Sequence, residues 1–219
     1  TLITLRRVAI GFVLAAIPAV LLGVLMGVNR LTRVLFQPLI AAMYPIPKIA
    51  LVPMVVLLFG IGETAKHVVV FISVFFLVAL NTAAGVLNLD TRYFDIARNN
   101  GARGWDLLWT VALPGALPSI LTGINLGLGF ALTVIVGTEM LQPGRGLGSL
   151  IWQSYQVYDI STIFVALIVV AILGWAVNAG MEEVERQLVP WKPRPSAARA
   201  LSDATTSEPR IRRFIRIWW

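Results

Sequence analysis

Five apolar runs set the terms for this chain: Val8–Val28, Val34–Phe59, Val68–Leu87, Leu113–Leu141 and Ile160–Gly180. A helix needs about 20 apolar residues to cross the hydrocarbon core of a bilayer. Inside lipid the backbone must also satisfy its own hydrogen bonds, which a helix does within one segment. The runs predict an all-α integral membrane protein, a bundle of about five transmembrane helices. Composition agrees. Only 13% of residues are charged and 58% are apolar, against about 25% and 45–50% in soluble domains. The first run is longer than a signal-peptide core of about 7–15 residues, and no small-residue cleavage site follows it. The sequence starts with Thr1, which predicts a fragment or a processed form.

Lys and Arg sort the connections between the runs. The first link holds Arg30 and Arg33, the third holds Arg92, Arg98 and Arg103, and eight more follow Glu185. The second link holds Lys66 and the fourth Arg145. The positive-inside rule then places the first and third links and the C-terminus in the cytoplasm. Arg6 and Arg7 fall on the outer side and fit poorly.

Two runs carry small residues every fourth position: Gly11, Ala15, Ala19, Gly23 and Gly27 in the first, then Ser119, Gly123, Gly127 and Ala131 in the fourth. That spacing keeps them on one face, where small side chains let backbones approach closely. Both faces are expected to be helix–helix contacts within the bundle, with a dimer seam or sliding face as the alternative. Asn81, Asn125 and Asn178 read as hydrogen-bond partners between helices or as ligands.

The second run contains YPIPKIALVPM. Pro45, Pro47 and Pro53 each remove a backbone donor, which predicts a kinked or unwound helix. Irregular backbone at membrane depth lines a wet cavity or is buried in protein. Lys48 sits there, either as a cation on a transport path or snorkelling toward an interface. Pro45, Pro47, Lys48, Asn125 and Glu139 are therefore candidates for a translocation path. Glu139, at the end of the fourth run, is expected at the outer mouth, where Arg145 is the simplest partner.

Catalytic constellations are missing. The sequence has no cysteine and one histidine, no G-x-x-x-x-G-K-[ST] phosphate loop, no H-E-x-x-H and no G-x-S-x-G. Acidic residues within the apolar runs are too few for a carboxylate proton relay. A transport subunit without its own nucleotide site is expected, with no metal and no nucleic-acid partner.

Between the third and fourth runs lies DIARNNGARGWDLLWTVALP. Asp95, Ile96 and Ala97 are followed after three residues by Gly101, and after nine more by Val111, Leu113 and Pro114. This resembles the E-A-A, Gly, I-x-L-P loop of bacterial ABC importer permeases, with Asp95 a shortened acid and Ile96 in place of a small residue. PIPKIALVPMVVLLFGIGE, NTAAGV, LPGALPSILTGINLGLG and GMEEVERQLVPWK are similar to permeases of the nitrate, sulfonate and taurine importer type, over roughly residues 1–192. Family members usually have six spans, so the resemblance implies that the first is missing here.

The resemblance further implies a cytoplasmic coupling-helix loop at about 90–114 that docks on separate ABC ATPase subunits. ATP and Mg would be bound there and not on this chain. Its named residues are Asp95, Ala97, Arg98, Gly101, Arg103, Trp105, Asp106, Leu113 and Pro114. An extracytoplasmic substrate-binding protein, a second permease copy and membrane lipid complete the implied partners, in the bacterial inner membrane. Local chemistry fits such a loop. Asp95–Asn100 and Arg103–Thr110 can form short helices about Gly101, whose freedom at positive φ suits a helix end. Trp105, Leu108 and Trp109 share a face, Arg98, Arg103 and Asp106 give a charged rim, and Leu113-Pro114 is expected to stop one helix before Pro118 begins or bends the next.

The substrate implied is a small anion: sulfonate, taurine or nitrate. A pyrimidine vitamin precursor for a relative in the same family is the alternative. An ATP-independent channel or secondary transporter is the rival from another class. Residues 1–192 read as the permease domain and 193–219 as a disordered basic tail. The tail's last ten residues, RIRRFIRIWW, suit an anionic membrane surface, or form an extension without function.

Overall fold

The computed structural model describes residues 1–142 and 144–190, and it is all-α, with no strand among the described residues. Thr1–Leu188 forms one compact unit, whereas the second, Val189–Trp219, falls almost entirely outside the described residues, as does the tail expected to be disordered. The helices are α1 (Leu2–Val28), α2 (Arg30–Met43), a short 3-10 turn (Lys48–Leu51) leading into α3 (Val52–Phe59), α4 (Glu63–Leu87), α5 (Thr91–Asn99), α6 (Trp105–Leu107), a π turn (Leu108–Ala112), α7 (Leu113–Leu141), α8 (Leu147–Gln156) and α9 (Ile160–Leu188). Four helices are long and apolar enough to cross a membrane, or five if the bent α2–α3 pair is one span.

The small-residue faces decide the packing. Side chains added at Gly11, Gly23 and Gly27 of α1 would strike Val70, Thr82 and Val86 of α4. Each partner lies 59 positions later (70−11, 82−23 and 86−27), so α1 and α4 run parallel in one register. On α7, Gly123 meets Asn81 and Gly127 meets Val78, while Ser119 meets Gly85, so index falls as index rises and α7 runs antiparallel. Both faces thus clamp α4, and Val70, Val74, Val78 and Ala79 of α4 are almost fully buried. Of the two roles open to these faces, the structure shows the contact within the bundle, and close backbone approach is its physical basis.

Because α1 and α4 are parallel, their C-terminal ends lie together, with Gly115 of α7 packed on Leu89. The segment 88–104 joins α4 to α7 at that end. The opposite end gathers the start of α1, the start of α4, the end of α7 and α8, joined through Thr4, Arg7, Glu63, Glu139 and Leu147.

Side-chain caps start several helices. Asn29 accepts from the Leu31 N–H and Asp90 from the Arg92 N–H, as N-cap residues do. Asp159 accepts from the Thr162 N–H and hydroxyl at the start of α9, and these bonds hold its carboxyl below the usual range.

The break expected in the second run is present, but the effects expected of Pro53 and of Leu113-Pro114 are not. The second run is not one helix: α2 and the 48–59 segment meet at 92°, across Tyr44, Pro45, Ile46 and Pro47. Pro53 makes no kink. It occupies the first turn of α3, where a missing N–H is harmless. Leu113-Pro114 stops nothing either, since the chain is helical without interruption from Trp105 to Leu141. The π turn at Leu108–Ala112 is the reason. Pro114 cannot donate to the carbonyl four residues back and would crowd it, and one widened turn removes the conflict while the helix continues. Arg103–Thr110 is accordingly no separate helix but the loop end of the α7 rod.

Candidate functional site

The 88–104 segment owes its shape to its glycines. α5 ends at Asn99, and Gly101 follows with φ of 91°. The Ala102 N–H donates to the Ala97 carbonyl and the Gly101 N–H to the Arg98 carbonyl, the paired bonds of a Schellman end. Gly104 also has positive φ, 51°, and immediately precedes α6. Asp95, Ala97 and Arg98 lie on α5, where Arg98 and Asp95 form an exposed pair at 3.5 Å. Arg103 is exposed, and Trp105 and Asp106 begin α6. The structure brings these residues together as two helical pieces hinged on Gly101–Gly104. Leu113 and Pro114 instead belong to the rod behind them.

Trp105, Leu108 and Trp109 do share a face. With Val20, Leu21, Val24 and Leu25 of α1 and with Leu113 they line an apolar cavity of about 180 Å³. Both tryptophans remain more than half exposed, at 68% and 60%. Of the two roles expected for this face, meeting a partner or the bundle, the second is thus filled in part, by packing toward α1.

Of the path candidates, Pro45 and Pro47 form the break itself. Lys48 acts locally, its ammonium donating to the carbonyls of Met43, Tyr44 and Ile46 at 2.8, 2.9 and 2.8 Å. An ammonium has three protons and no lone pair, so these bonds saturate it. The Met43 and Tyr44 carbonyls are among those that the end of α2 leaves without helical partners, and the Ile46 carbonyl lies in the turn that follows. Lys48 also lines a cavity of about 210 Å³ with Tyr44, Pro47, Ser73, Phe76 and Phe130.

Glu139 does not pair with the Arg145 side chain. Its side chain is fully buried and meets Arg7, whose Nη1 donates to Oε1, while Thr4 Oγ1 and the Gly148 N–H donate to Oε2. Arg145 contributes its backbone carbonyl, which accepts from Arg7. The same guanidinium grips Glu63 with Nε and Nη2. Lys66, a loop charge by sequence, is buried in α4 at 3.9 Å from Glu63. Arg7 and Glu139 are almost fully buried, where an unpaired charge is very costly, whereas Glu63 stays partly exposed at the rim. Arg7 was legible only as a charge in the wrong place, and that misfit was the available signal.

Asn125 lines an open cavity of about 550 Å³ with Leu126, Gly129, Phe130, Thr133 and Asn178, between α7 and α9. Its Oδ1 is buried without a partner. Asn81 bonds no neighbouring helix; its Nδ2 donates to Leu77 of its own turn.

Among the described residues no group of His, Cys, Asp and Glu could hold a metal ion. A clamped helical bundle with a broken span and a polar hinged segment at one end has the architecture of a membrane transport subunit. Residues 19–190 match the family described as binding-protein-dependent transport system inner membrane component. The chain belongs to that family and is a permease subunit of an ABC importer, a multi-pass membrane protein of a class that is not itself enzymatic. It is 36% identical over 193 residues to a putative ABC transporter permease protein of Methanocaldococcus jannaschii, covering 88% of this chain and 72% of that protein. It is 32% identical over 188 residues to the taurine transport system permease protein TauC of Escherichia coli, covering 86% and 68%. Its fold matches the inward-facing MetNI methionine ABC transporter with a TM-score of 0.76 at 20% identity, over 84% of this chain and 92% of that one.

Proposed function

We propose that this chain forms the translocation path of an ATP-driven importer for a small anion of the sulfonate type, and that segment 88–104 docks on a separate ATPase. The observation that carries the reading is mechanical. The hinged segment runs straight into a single helical rod, Trp105–Leu141, whose far end is tied through Glu139 to α1 and α8. A push on the segment is delivered along that rod to the opposite face of the bundle. ATP and Mg belong to the ATPase in this scheme. The likeness to a taurine permease supports a sulfonate or similar anion. The segment and the C-terminal end of α9 lie in the cytoplasm by the distribution of Arg; burial of Arg7 and Lys66 in ion pairs leaves fewer free charges on the outer side. A soluble binding protein delivers substrate, and a second permease copy completes the path.

The test mixes purified subunit with its ATPase in lipid and compares the native chain with Gly101→Glu. A side chain at φ of 91° disfavours the Schellman end. Binding and ATPase stimulation by the native chain, and their loss in Gly101→Glu, support the reading. Equal binding by both, or by neither, makes the segment a mere connector.

A further inference from the structure

We propose that Asn125, Gly129 and Thr133 of α7, with Asn178 of α9, form an uncharged solute site for a small molecule bearing both oxygen acceptors and an N–H or O–H donor, such as an aminosulfonate. For its place in transport the proposal rests on the importer reading; its chemistry does not.

Residues 125, 129 and 133 are four apart and fall on one face near the middle of α7. Asn178 reaches the same cavity from α9. A Cβ on Gly129 would meet nothing within 4 Å, unlike the clamped glycines on the other side of α7. This glycine serves no close helix contact, and its bare backbone widens the cavity.

The polar groups are arranged for exchange with something that is not protein. An amide oxygen left unpaired at membrane depth is costly, and the Asn125 Oδ1 is buried without a partner. In this conformation it has almost no accessible surface, so a solute would reach it only through a rotation of the Asn125 amide. Thr133 donates its hydroxyl proton to the Gly129 carbonyl at 3.1 Å, so its oxygen is left to accept. The site thus offers the Thr133 hydroxyl oxygen as an acceptor and lines the cavity with the amides of Asn125 and Asn178, whose side chains carry both donors and acceptors. Nitrate, with acceptors only, satisfies half of it. None of the six lining residues is charged, so a bound anion meets dipoles rather than a fixed cation and leaves readily. Leu126 and Phe130 form the apolar walls, and Phe130 also lines the separate cavity beside Lys48.

The sequence has no cysteine, so single-cysteine variants give a clean readout. Gly129→Cys and Thr133→Cys are compared with Leu57→Cys, on the apolar surface of α3, in membrane vesicles holding the complete importer. A charged methanethiosulfonate reagent should modify the α7 variants at least about tenfold faster than Leu57→Cys, because a thiolate forms in water and not in lipid. Taurine should slow modification of Gly129→Cys, and nitrate should not. Modification no faster than at Leu57→Cys overturns the site, and failure of Gly129→Cys to assemble would make the face a packing seam and overturn it equally. Equal protection by nitrate, or none by taurine, overturns the proposed ligand class. ATPase stimulation by the native chain in the same vesicles is the separate check on the importer reading: its absence with a reactive, protected Gly129→Cys would remove the transport role and leave the site's chemistry intact.

Discussion

Arg7 and Glu139, 132 residues apart in the chain, meet at 2.5 Å with both side chains almost completely buried. The contact joins the first helix to the end of α7. Glu139 also receives the Gly148 N–H, and Thr4 the Leu147 N–H, so the start of α8 hangs from the same cluster. With Glu63 of α4 held by the same guanidinium, one carboxylate and one guanidinium therefore tie together four helices at the end opposite the coupling segment.

Removing one partner strands the other. Glu139→Ala or Arg7→Ala is expected to cost about 3–5 kcal/mol, the range for breaking a buried pair. Replacing both with apolar residues, as in Arg7→Met with Glu139→Leu, should cost less than either single change. Thermal unfolding of purified subunit in detergent measures this. A double variant as unstable as the sum of the singles would contradict it.

The clamp around α4 makes a prediction about glycines. A Cβ at Gly23 would lie 2.5 Å from the Thr82 Cβ and 2.7 Å from the Ala79 carbonyl oxygen. Gly23→Ala should destabilise by about 1–3 kcal/mol through overpacking. Gly174→Ala, in the middle of α9 with open space around it, should be neutral or stabilising by up to about 1 kcal/mol. Paired melting curves decide, and equal effects would mean that α1 does not approach α4 this closely.

Lys48 is expected to behave as a cap for the broken helix. Lys48→Met leaves the Met43, Tyr44 and Ile46 carbonyls without their donor, at a cost of about 1–3 kcal/mol. Stability should fall along with transport. If uptake collapses while the melting temperature is unchanged, the cation acts on the substrate instead.

The π turn predicts a rotation. Pro114→Ala restores an N–H and lets Leu108–Ala112 relax to an α-helix. One residue fewer per widened turn re-aims Trp105 and the coupling segment by about 100° relative to α7. Cross-linking between cysteines placed at Trp105 and Leu21, which share the apolar cavity, should drop sharply in Pro114→Ala. Undiminished cross-linking would show that the turn persists without the proline.

What the sequence determined by itself is what neighbours a few positions apart can decide. Run lengths gave the crossing helices, the prolines at 45 and 47 gave the break, and the four-residue spacing of small side chains gave the faces that clamp α4. The Gly101 helix end was legible for the same reason, since one residue's φ ends a helix. Asn125 was legible as a candidate, but the open space beside Gly129 on the same face was not. Tertiary structure decided the rest. Arg145 is six residues from Glu139 and the nearest cation in sequence, yet Arg7 holds the carboxylate, because parallel packing of α1 on α4 brings that guanidinium to the same buried end. Lys48 could have faced a path or a headgroup, until the 92° bend left three carbonyls within its reach. Periodicity specifies which face of a helix is small or polar; only the packed bundle specifies what that face meets, because burial and charge pairing depend on residues far away in the chain.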